Sequence, residues 1–333
     1  MPLGKRVDQT AKQVMEAADS KAAPLHTSQQ QNSAASEENS DKPTEFTLFQ
    51  AEDPKYHFSD IILNGSTYDA IQDVLVMYEK RELLFDKWGL GERQKKQNKS
   101  GINLYGHSGT GKSMAAHAIA SQLERKILTV DYSQIESKYV GETSKNLVSM
   151  FKYAKELQAI IFFDEADALL SRRVTNMSNP TDVSVNQTRS VLLVLINEFD
   201  DLILFASNFI SNYDPAFLRR ILAHVKFELP DEENRKKLWS MYIPQTLPTN
   251  ADIEALSAKY FGISGSDISS AVLNASLRAA RLNEEIVLQA YFEEAIERII
   301  KSKADNDNLG TLVSRRTVSE DYVKSQFGGE IPK

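Results

Sequence analysis

The run Gly106-His107-Ser108-Gly109-Thr110-Gly111-Lys112-Ser113 restricts what this chain can fold into more than any other segment. It matches the phosphate-loop pattern G-x-x-x-x-G-K-S/T, with a predicted strand directly before it and a predicted helix directly after it. Glycines let the backbone wrap a phosphate with its N–H groups pointing inward, and a helix N-terminus favours negative charge. We therefore expect the run to bind ATP, with Lys112 neutralising the β- and γ-phosphates and Ser113 holding Mg²⁺.

A second part of the same site follows about 50 residues further on, where the apolar run Ile160 to Phe163 ends in Asp164-Glu165. The carboxyl ends of parallel strands share one edge of a sheet, so this acidic pair should face the phosphate loop. Asp164 is predicted as the carboxylate on the magnesium side, and Glu165 as the base that orients and deprotonates the attacking water. Taken alone, an acidic pair after a strand is more often a helix N-cap, and only its combination with the phosphate loop favours catalysis.

The order of the predicted elements indicates an α/β fold with a doubly wound parallel five-stranded sheet, followed by a small all-helical domain. Strands alternate with helices up to Pro230, and only helices are predicted after it. The strands are predicted at 102–105, 127–132, 160–163, 202–206 and 225–229, and the helices at 111–125, after 141, at 183–199, 231–243, 253–260, 267–282 and 285–300. We predict a nucleotide-binding domain over 46–230 and a helical lid domain with a tail over 231–333.

Residues 1–45 contain no aromatic side chain and are rich in Ser, Gln, Ala, Asn and Glu. Such a composition cannot bury enough apolar area to offset the entropy lost on ordering, so a flexible N-terminal arm is expected.

Composition excludes several classes of protein. The chain has no cysteine, so it has no disulfides or thiolate metal sites, and its five histidines lack metal-ligand spacing. No apolar run is long enough to span a membrane, and no signal segment is visible, so a cytoplasmic protein is expected. The net charge of -7 argues against a nucleic-acid partner.

Beyond the phosphate loop and the acidic pair, the chain resembles an AAA-type ATPase of the AAA+ superfamily from about Tyr56 to Phe327. The resemblance implies that Asp60, Ile61 and Ile62, in the run Phe58 to Ile62, lie beside the adenine. It also implies that Gly265 and Ser266, in the run Gly262 to Ile268, begin the lid helix over the nucleotide. Gly and Ser stand where other branches place a second sensing arginine.

Two further matches bear on catalysis. Ser207-Asn208 resembles the sensor that places the attacking water, and an Asn side chain can donate and accept hydrogen bonds at once. The run Asp214 to Arg220 resembles the stretch whose arginine fingers, here Arg219 and Arg220, reach the neighbouring subunit's ATP. The resemblance therefore implies a ring, with a homohexamer expected. On the residues alone, the two arginines could simply end a helix favourably.

The run Ser137 to Glu142 is similar to the pore loop of protein-remodelling AAA ATPases. The resemblance implies that Lys138, Tyr139 and Val140 face a central channel, where an aromatic ring grips extended polypeptide through non-directional apolar contact. Residues 171–187 stand where a second pore loop would be expected.

In its combination of motifs, the chain looks most like the spastin, katanin and ESCRT-disassembly branch. It departs from the family at His107-Ser108, where Pro-Pro is usual, and at the short helix-to-strand connection formed by Asp200 and Asp201. Ile221-Leu222-Ala223-His224 also replaces the usual residues after the arginine pair.

We therefore expect an ATPase that needs Mg²⁺ and that remodels, unfolds or disassembles a protein client by threading it through a ring. Two alternatives stay open. A nucleic-acid machine is favoured only by the basic loop Arg93, Lys95, Lys96 and Lys99, and a regulator would report nucleotide state to a partner.

Overall fold

A computed structural model describes residues 49–90, 101–131, 142–171, 180–208 and 213–314. The chain divides into two compact units between Leu229 and Pro230. The predicted N-terminal arm, the basic loop at 93–99 and the predicted pore residues Lys138, Tyr139 and Val140 lie outside the described residues.

The first unit is built on one five-stranded parallel sheet, as the sequence predicted. Its strand order, β2-β3-β4-β1-β5, places the strand before the phosphate loop between the fourth and fifth strands of the chain. The strands are β1 (Gly101–Gly106), β2 (Ile127–Asp131), β3 (Ile160–Asp164), β4 (Ile203–Ser207) and β5 (Ile221–Phe227).

Helices connect these strands. They are α1 (Gly65–Glu79), α2 (Lys112–Gln122), α3 (Glu142–Glu156), α4 (Asp167–Leu170), α5 (Pro180–Glu198) and α6 (Pro215–Leu218), with a 3-10 turn at Phe58–Asp60 and a π-helical turn at Glu82–Lys87.

Two apolar cores lie on opposite faces of the sheet because successive strand residues point to opposite sides. Phe162 packs with Ile71 of α1 and Ile119 of α2 in one core. Its neighbour Phe163 stacks on Phe205 in the other core, at 5.3 Å between ring centroids. The sheet is thus covered on both faces, which fixes its carboxyl edge as the place where loops from several strands meet.

The secondary structure of the second unit, as far as residue 314, is helical apart from one isolated bridge. Its helices are α7 (Glu232–Tyr242), α8 (Ile253–Lys259), α9 (Gly265–Leu282) and α10 (Gln289–Ser314). Aspartate side chains cap the first two: Asp231 accepts the N–H of Asn234 at 2.8 Å, and Asp252 accepts that of Ala255 at 3.0 Å. Trp239 and Phe292 meet edge to face in its core. No helix in the described part of the chain has the length and apolar character needed to cross a membrane.

Two predicted starts were wrong by four residues, and the last helix ends at Ser314 instead of Ile300. The fifth strand begins at Ile221 instead of Val225, because Ile221 and Ala223 already pair with β1. The last helix begins at Gln289 instead of Glu285, because Val287 pairs with Thr249 in an isolated bridge and its carbonyl accepts the Thr249 hydroxyl at 2.7 Å.

Candidate active site

The phosphate loop joins the end of β1 to the start of α2, as the sequence predicted. Gly106, Gly109 and Gly111 all have positive φ, at 147°, 76° and 94°. Glycine is required most strictly at position 106, since a Cβ there would lie 2.0 Å from the carbonyl oxygen of Phe227 on β5. The loop therefore depends on glycine both for its backbone conformation and for its close approach to the neighbouring strand.

Lys112, the first residue of α2, is buried and turns back onto the loop. Its Nζ donates to the carbonyl oxygens of Gly106 at 2.8 Å and His107 at 2.9 Å, and to Oδ1 of Asn208 at 3.0 Å. Burial lowers the pKa of Lys112, while the charges of Asp164 and Asp167 act in the opposite direction. The chain thus holds a cation at the centre of the loop. His107 contributes its backbone carbonyl, which any residue could supply.

Ser113 and Asp164 meet across the site. The Ser113 hydroxyl donates to Oδ2 of Asp164 at 2.8 Å, and Oδ1 accepts the backbone N–H of Glu165 at 2.9 Å. Glu165 is exposed and has a φ of 49°, in the left-handed region that few non-glycine residues adopt. Such backbone strain clusters at functional sites.

Asn208 follows the end of β4 and links two parts of the site. Its amide oxygen accepts from Lys112, and its backbone N–H donates to Oδ2 of Asp167 at 2.9 Å. The sequence analysis missed Asp167. The sequence feature that could have indicated Asp167 is a third acidic residue in the run Asp164-Glu165-Ala166-Asp167, three positions beyond the proposed metal-side carboxylate.

Of the residues predicted beside the adenine, Asp60 accepts the backbone N–H of His57 at 2.8 Å and closes the 3-10 turn. Ile61 lies against the phosphate loop, since a Cβ built on Gly111 would be 3.6 Å from its Cγ2. Ile62 follows Ile61 outside the helices and strands of the described residues.

The two predicted arginine fingers have different surroundings at the end of α6. Arg220 donates from Nε to Oδ1 of Asn197 at 2.8 Å, and from Nη1 to the carbonyl oxygen of Ala216 at 2.7 Å. Arg219 is exposed, and within the described residues it makes no such hydrogen bond. Arg220 is therefore held within the chain, whereas the Arg219 side chain is exposed.

Gly265 and Ser266 begin α9 in the second unit. Ser264 is the N-cap, and it forms a capping box with Asp267 in which the Ser264 N–H donates to Oδ2 at 2.7 Å. Oδ2 also accepts from Lys303 of α10 at 2.5 Å. The start of this helix is thus fixed by hydrogen bonds inside the second unit.

A phosphate loop, an opposed Ser and Asp pair and a strand-end Asn at the carboxyl edge of a doubly wound sheet define a P-loop nucleotide-binding protein. Residues 102–229 match the model of the family described as "ATPase family associated with various cellular activities (AAA)". Over this segment the chain is similar to the AAA family of ATPases, in agreement with the resemblance seen in the sequence.

Three relatives show how far the similarity extends. The proteasome-activating nucleotidase of Methanopyrus kandleri is 30% identical over 265 residues, which cover 76% of this chain and 58% of the relative. The 26S proteasome regulatory subunit 8 homolog of Encephalitozoon cuniculi is 30% identical over 255 residues, covering 73% and 62%. The 26S proteasome regulatory subunit 7 of Dictyostelium discoideum is 33% identical over 216 residues, covering 61% and 49%.

The chain thus spans between 49% and 62% of the length of these relatives. All three are named for the proteasome, so they lend no support to the finer assignment to the spastin, katanin and ESCRT-disassembly branch.

Proposed function

We propose that this protein is an ATP-driven ring motor that unfolds or disassembles a polypeptide client. The ATP-hydrolysing part of the proposal rests on one observation: a cation, a hydroxyl, a carboxylate and an amide side chain converge at one edge of the sheet. They are Lys112, Ser113, Asp164 and Asn208. This set matches what phosphoryl transfer needs, which is positioning and charge neutralisation.

In the proposed reaction, a water oxygen attacks the γ-phosphorus, its proton passes to Glu165, and the bond to the β-phosphate oxygen breaks to give ADP and phosphate. Lys112 neutralises the β- and γ-phosphate oxygens, and Asn208 orients the water. Glu165 is exposed directly beyond Asp164, so its carboxylate is accessible to a water at this edge.

The residues present fit Mg²⁺. Ser113 and Asp164 offer hard oxygen donors, and no group of three or more His, Cys, Asp or Glu that could hold a metal occurs in the described residues. Mg²⁺ suits such a sparse set, since it keeps several waters and takes phosphate oxygens as further ligands. When bound, the ion would neutralise charge on the β- and γ-phosphates.

We further propose a homohexamer whose ATP sites lie between subunits. Arg219 is the better candidate for the residue supplied to the neighbour, since it is exposed while Arg220 bonds to Asn197 and Ala216 of its own chain. A guanidinium supplied in trans stabilises charge in the transition state of phosphoryl transfer.

The client class follows from two independent supports. The three relatives above are named for the proteasome, and Tyr139 stands in a run similar to an aromatic pore loop. An aromatic side chain followed by an aliphatic one suits extended polypeptide of almost any sequence. The resemblance in motifs to spastin and katanin points to the same polypeptide class, though to different clients.

The deciding experiment places a photocrosslinker at position 139 in the Glu165→Gln variant, which should bind ATP without turning it over. We expect ATP-dependent crosslinks to an unfolded model polypeptide. Crosslinks to DNA instead would favour the nucleic-acid machine, and crosslinks to neither would favour the regulator. Normal ATP turnover by the Glu165→Gln variant would rule out Glu165 as the base.

A further inference from the structure

A polar side chain lies at the centre of the sheet where the fold needs only apolar ones. Asn103 is fully buried in β1, between Ile102 and Leu104. Its neighbours across the sheet are Phe205 on β4 and His224 on β5. A buried amide is costly unless it is hydrogen-bonded, so its partners indicate why it is present.

The amide oxygen of Asn103 accepts two hydroxyl groups. Ser207 Oγ donates at 3.2 Å and Tyr213 Oη donates at 3.4 Å, and both side chains are buried. The amide nitrogen of Asn103 lies 3.5 Å from Nδ1 of His224. Burial raises the pKa of Tyr213 to about 12, so its hydroxyl keeps its proton and remains a donor across the physiological range.

The two hydroxyl donors stand next to the two catalytic elements of the proposed site. Ser207 directly precedes Asn208, whose amide contacts Lys112. Tyr213 directly precedes Asp214, the N-cap of α6, whose side chain accepts the N–H of Ala216 at 2.8 Å. The Asn103 amide oxygen therefore links Ser207 to Tyr213. Ser207 precedes Asn208, which is proposed to orient the water, and Tyr213 precedes the N-cap of α6, the helix followed by the two arginines.

Backbone contacts make this connection rigid at both ends. The N–H of Asp214 donates to the carbonyl of Leu170 at 2.8 Å, and the N–H of Ala166 donates to that of Ala206 at 2.8 Å. Asp167, which holds the backbone of Asn208, lies in the short segment between those two contacts. A displacement of Asn208 therefore cannot occur without strain on the hydroxyl pair or on this segment.

We infer that Asn103, Ser207 and Tyr213 form a buried polar clamp that positions Asn208 and α6 relative to each other. The clamp rests on the proposed function, because it acts through the residues assigned there to the water and to the neighbouring site. Its members are positioning residues, since all three are buried and act through Asn208 and α6. Through Asn208 and α6, the clamp couples the state of the γ-phosphate in one ATP site to the position of the arginines that enter the ATP site of the neighbouring subunit.

The test uses Tyr213→Phe, which removes only the hydroxyl. We expect ATP turnover of the assembled protein to fall about tenfold, as small misplacements of catalytic groups do. The Kd for a fluorescent ATP analogue should change by less than about twofold, because Lys112 and the phosphate loop are unaltered. Ser207→Ala, which removes the other hydroxyl, should act in the same direction and serves if Tyr213→Phe does not fold.

The matched control is Thr129→Val on β2. The Thr129 hydroxyl is also buried in the sheet, and within the described residues it has no hydrogen-bond partner. This variant removes a buried hydroxyl of the same sheet without touching the clamp, so it should leave turnover unchanged.

A double variant separates positioning from general stability. In an Asn208→Ala background, Tyr213→Phe should cause a smaller fold-loss of turnover than in the wild type, because the part of its effect that acts through Asn208 is already lost. An equal fold-loss in both backgrounds, or unchanged turnover in Tyr213→Phe alone, overturns the clamp and leaves the proposed function standing. If the wild-type protein does not hydrolyse ATP, the proposed function fails and the clamp fails with it.

Discussion

Gly106 shows how much a single residue contributes to the site. Its φ of 147° and the 2.0 Å approach of a built Cβ to the Phe227 carbonyl oxygen leave no room for a side chain. We expect Gly106→Ala to lower the free energy of unfolding by about 3 kcal/mol, since backbone strain and a displaced strand act together. Urea denaturation followed by circular dichroism measures the change.

The control is Gly65→Ala at the start of α1. A Cβ at Gly65 meets nothing within 4 Å. This variant should change the free energy of unfolding by less than about 1 kcal/mol, in the stabilising direction. If both variants lose the same stability, the close approach of β1 to β5 is not what fixes Gly106.

Lys112 is the residue on which nucleotide binding depends most directly. Lys112→Ala should abolish measurable ATP binding, because it removes the only side-chain cation that the described residues place against the loop carbonyls. Titration with a fluorescent ATP analogue measures this, with Lys126→Ala as a control because Lys126 lies away from the loop and pairs with the exposed Asp53. Retained micromolar affinity in Lys112→Ala would contradict the assignment of the phosphate loop.

Residue-level motifs were predictable where chemistry and spacing are local. The phosphate loop and Asp164-Glu165 could be found from sequence because each is a short run between periodic segments. Asn103 and Asp167 could not, because their roles come from partners 104 and 41 positions away. The only signal for Asn103 was one polar residue inside an apolar strand.

At the scale of elements, the ends of helices and strands were predictable where a capping residue or a strand end coincides with a change in the hydrophobic pattern of the sequence. Asp231 and Ser264 cap helices that the sequence placed within about two residues. The first residues of β5 were missed because Ile221 and Ala223 follow the arginine pair without a turn signal. Their strand conformation comes from pairing with β1, which the sequence does not encode locally.

The connection between α5 and β4 also has a physical explanation at this scale. It runs from Phe199 to Leu202, slightly longer than the two aspartates that the sequence suggested. Asp201 forms an ion pair with Arg125, which follows α2, and it accepts the hydroxyl of Tyr78 from α1 at 2.8 Å. Arg125 also donates to the carbonyl of Gln158, before β3. One ion pair thus joins several connections at the edge of the sheet away from the phosphate loop.

Asp201→Asn should destabilise the protein by about 2 kcal/mol, between the values for exposed and for buried ion pairs. Asp53→Asn is the control, because Asp53 is 88% exposed and lies 3.8 Å from Lys126. Thermal and urea unfolding of both variants measure the difference. Equal stability of the two would mean that the Arg125 pair contributes no more than a surface contact.

The ion pair of Asp201 with Arg125 predicts that the stability of the protein depends on pH. Burial alone would raise the pKa of Asp201, but hydrogen bonds from Arg125, the Leu202 N–H and Tyr78 outweigh it, and the pKa is lowered in the folded protein. The stability that the carboxylate contributes is therefore present in full above its unfolded pKa of about 3.9. It is lost as the pH falls through the lower folded pKa. The difference in the free energy of unfolding between the wild type and Asp201→Asn should shrink over that acid range and stay constant between pH 5 and pH 7.

For the whole molecule, the decisive question is whether each ATP site is completed by a neighbouring subunit. Arg219→Ala should lower turnover by about 10³-fold or more without changing the melting temperature, because Arg219 is exposed and, in the proposed ring, supplies its charge in trans. Arg220→Ala should lower the melting temperature as well, because it removes the bonds to Asn197 and Ala216.

Mixed rings test this assignment directly. A Lys112→Ala subunit cannot bind ATP but still presents Arg219, whereas an Arg219→Ala subunit binds ATP but presents no arginine. Each is inactive alone, yet an equal mixture should regain about a quarter of wild-type turnover, since half of the pockets bind ATP and half of those face an intact arginine. A mixture as inactive as its components would mean that Arg219 acts within its own subunit, and the proposed ring would lose its catalytic basis.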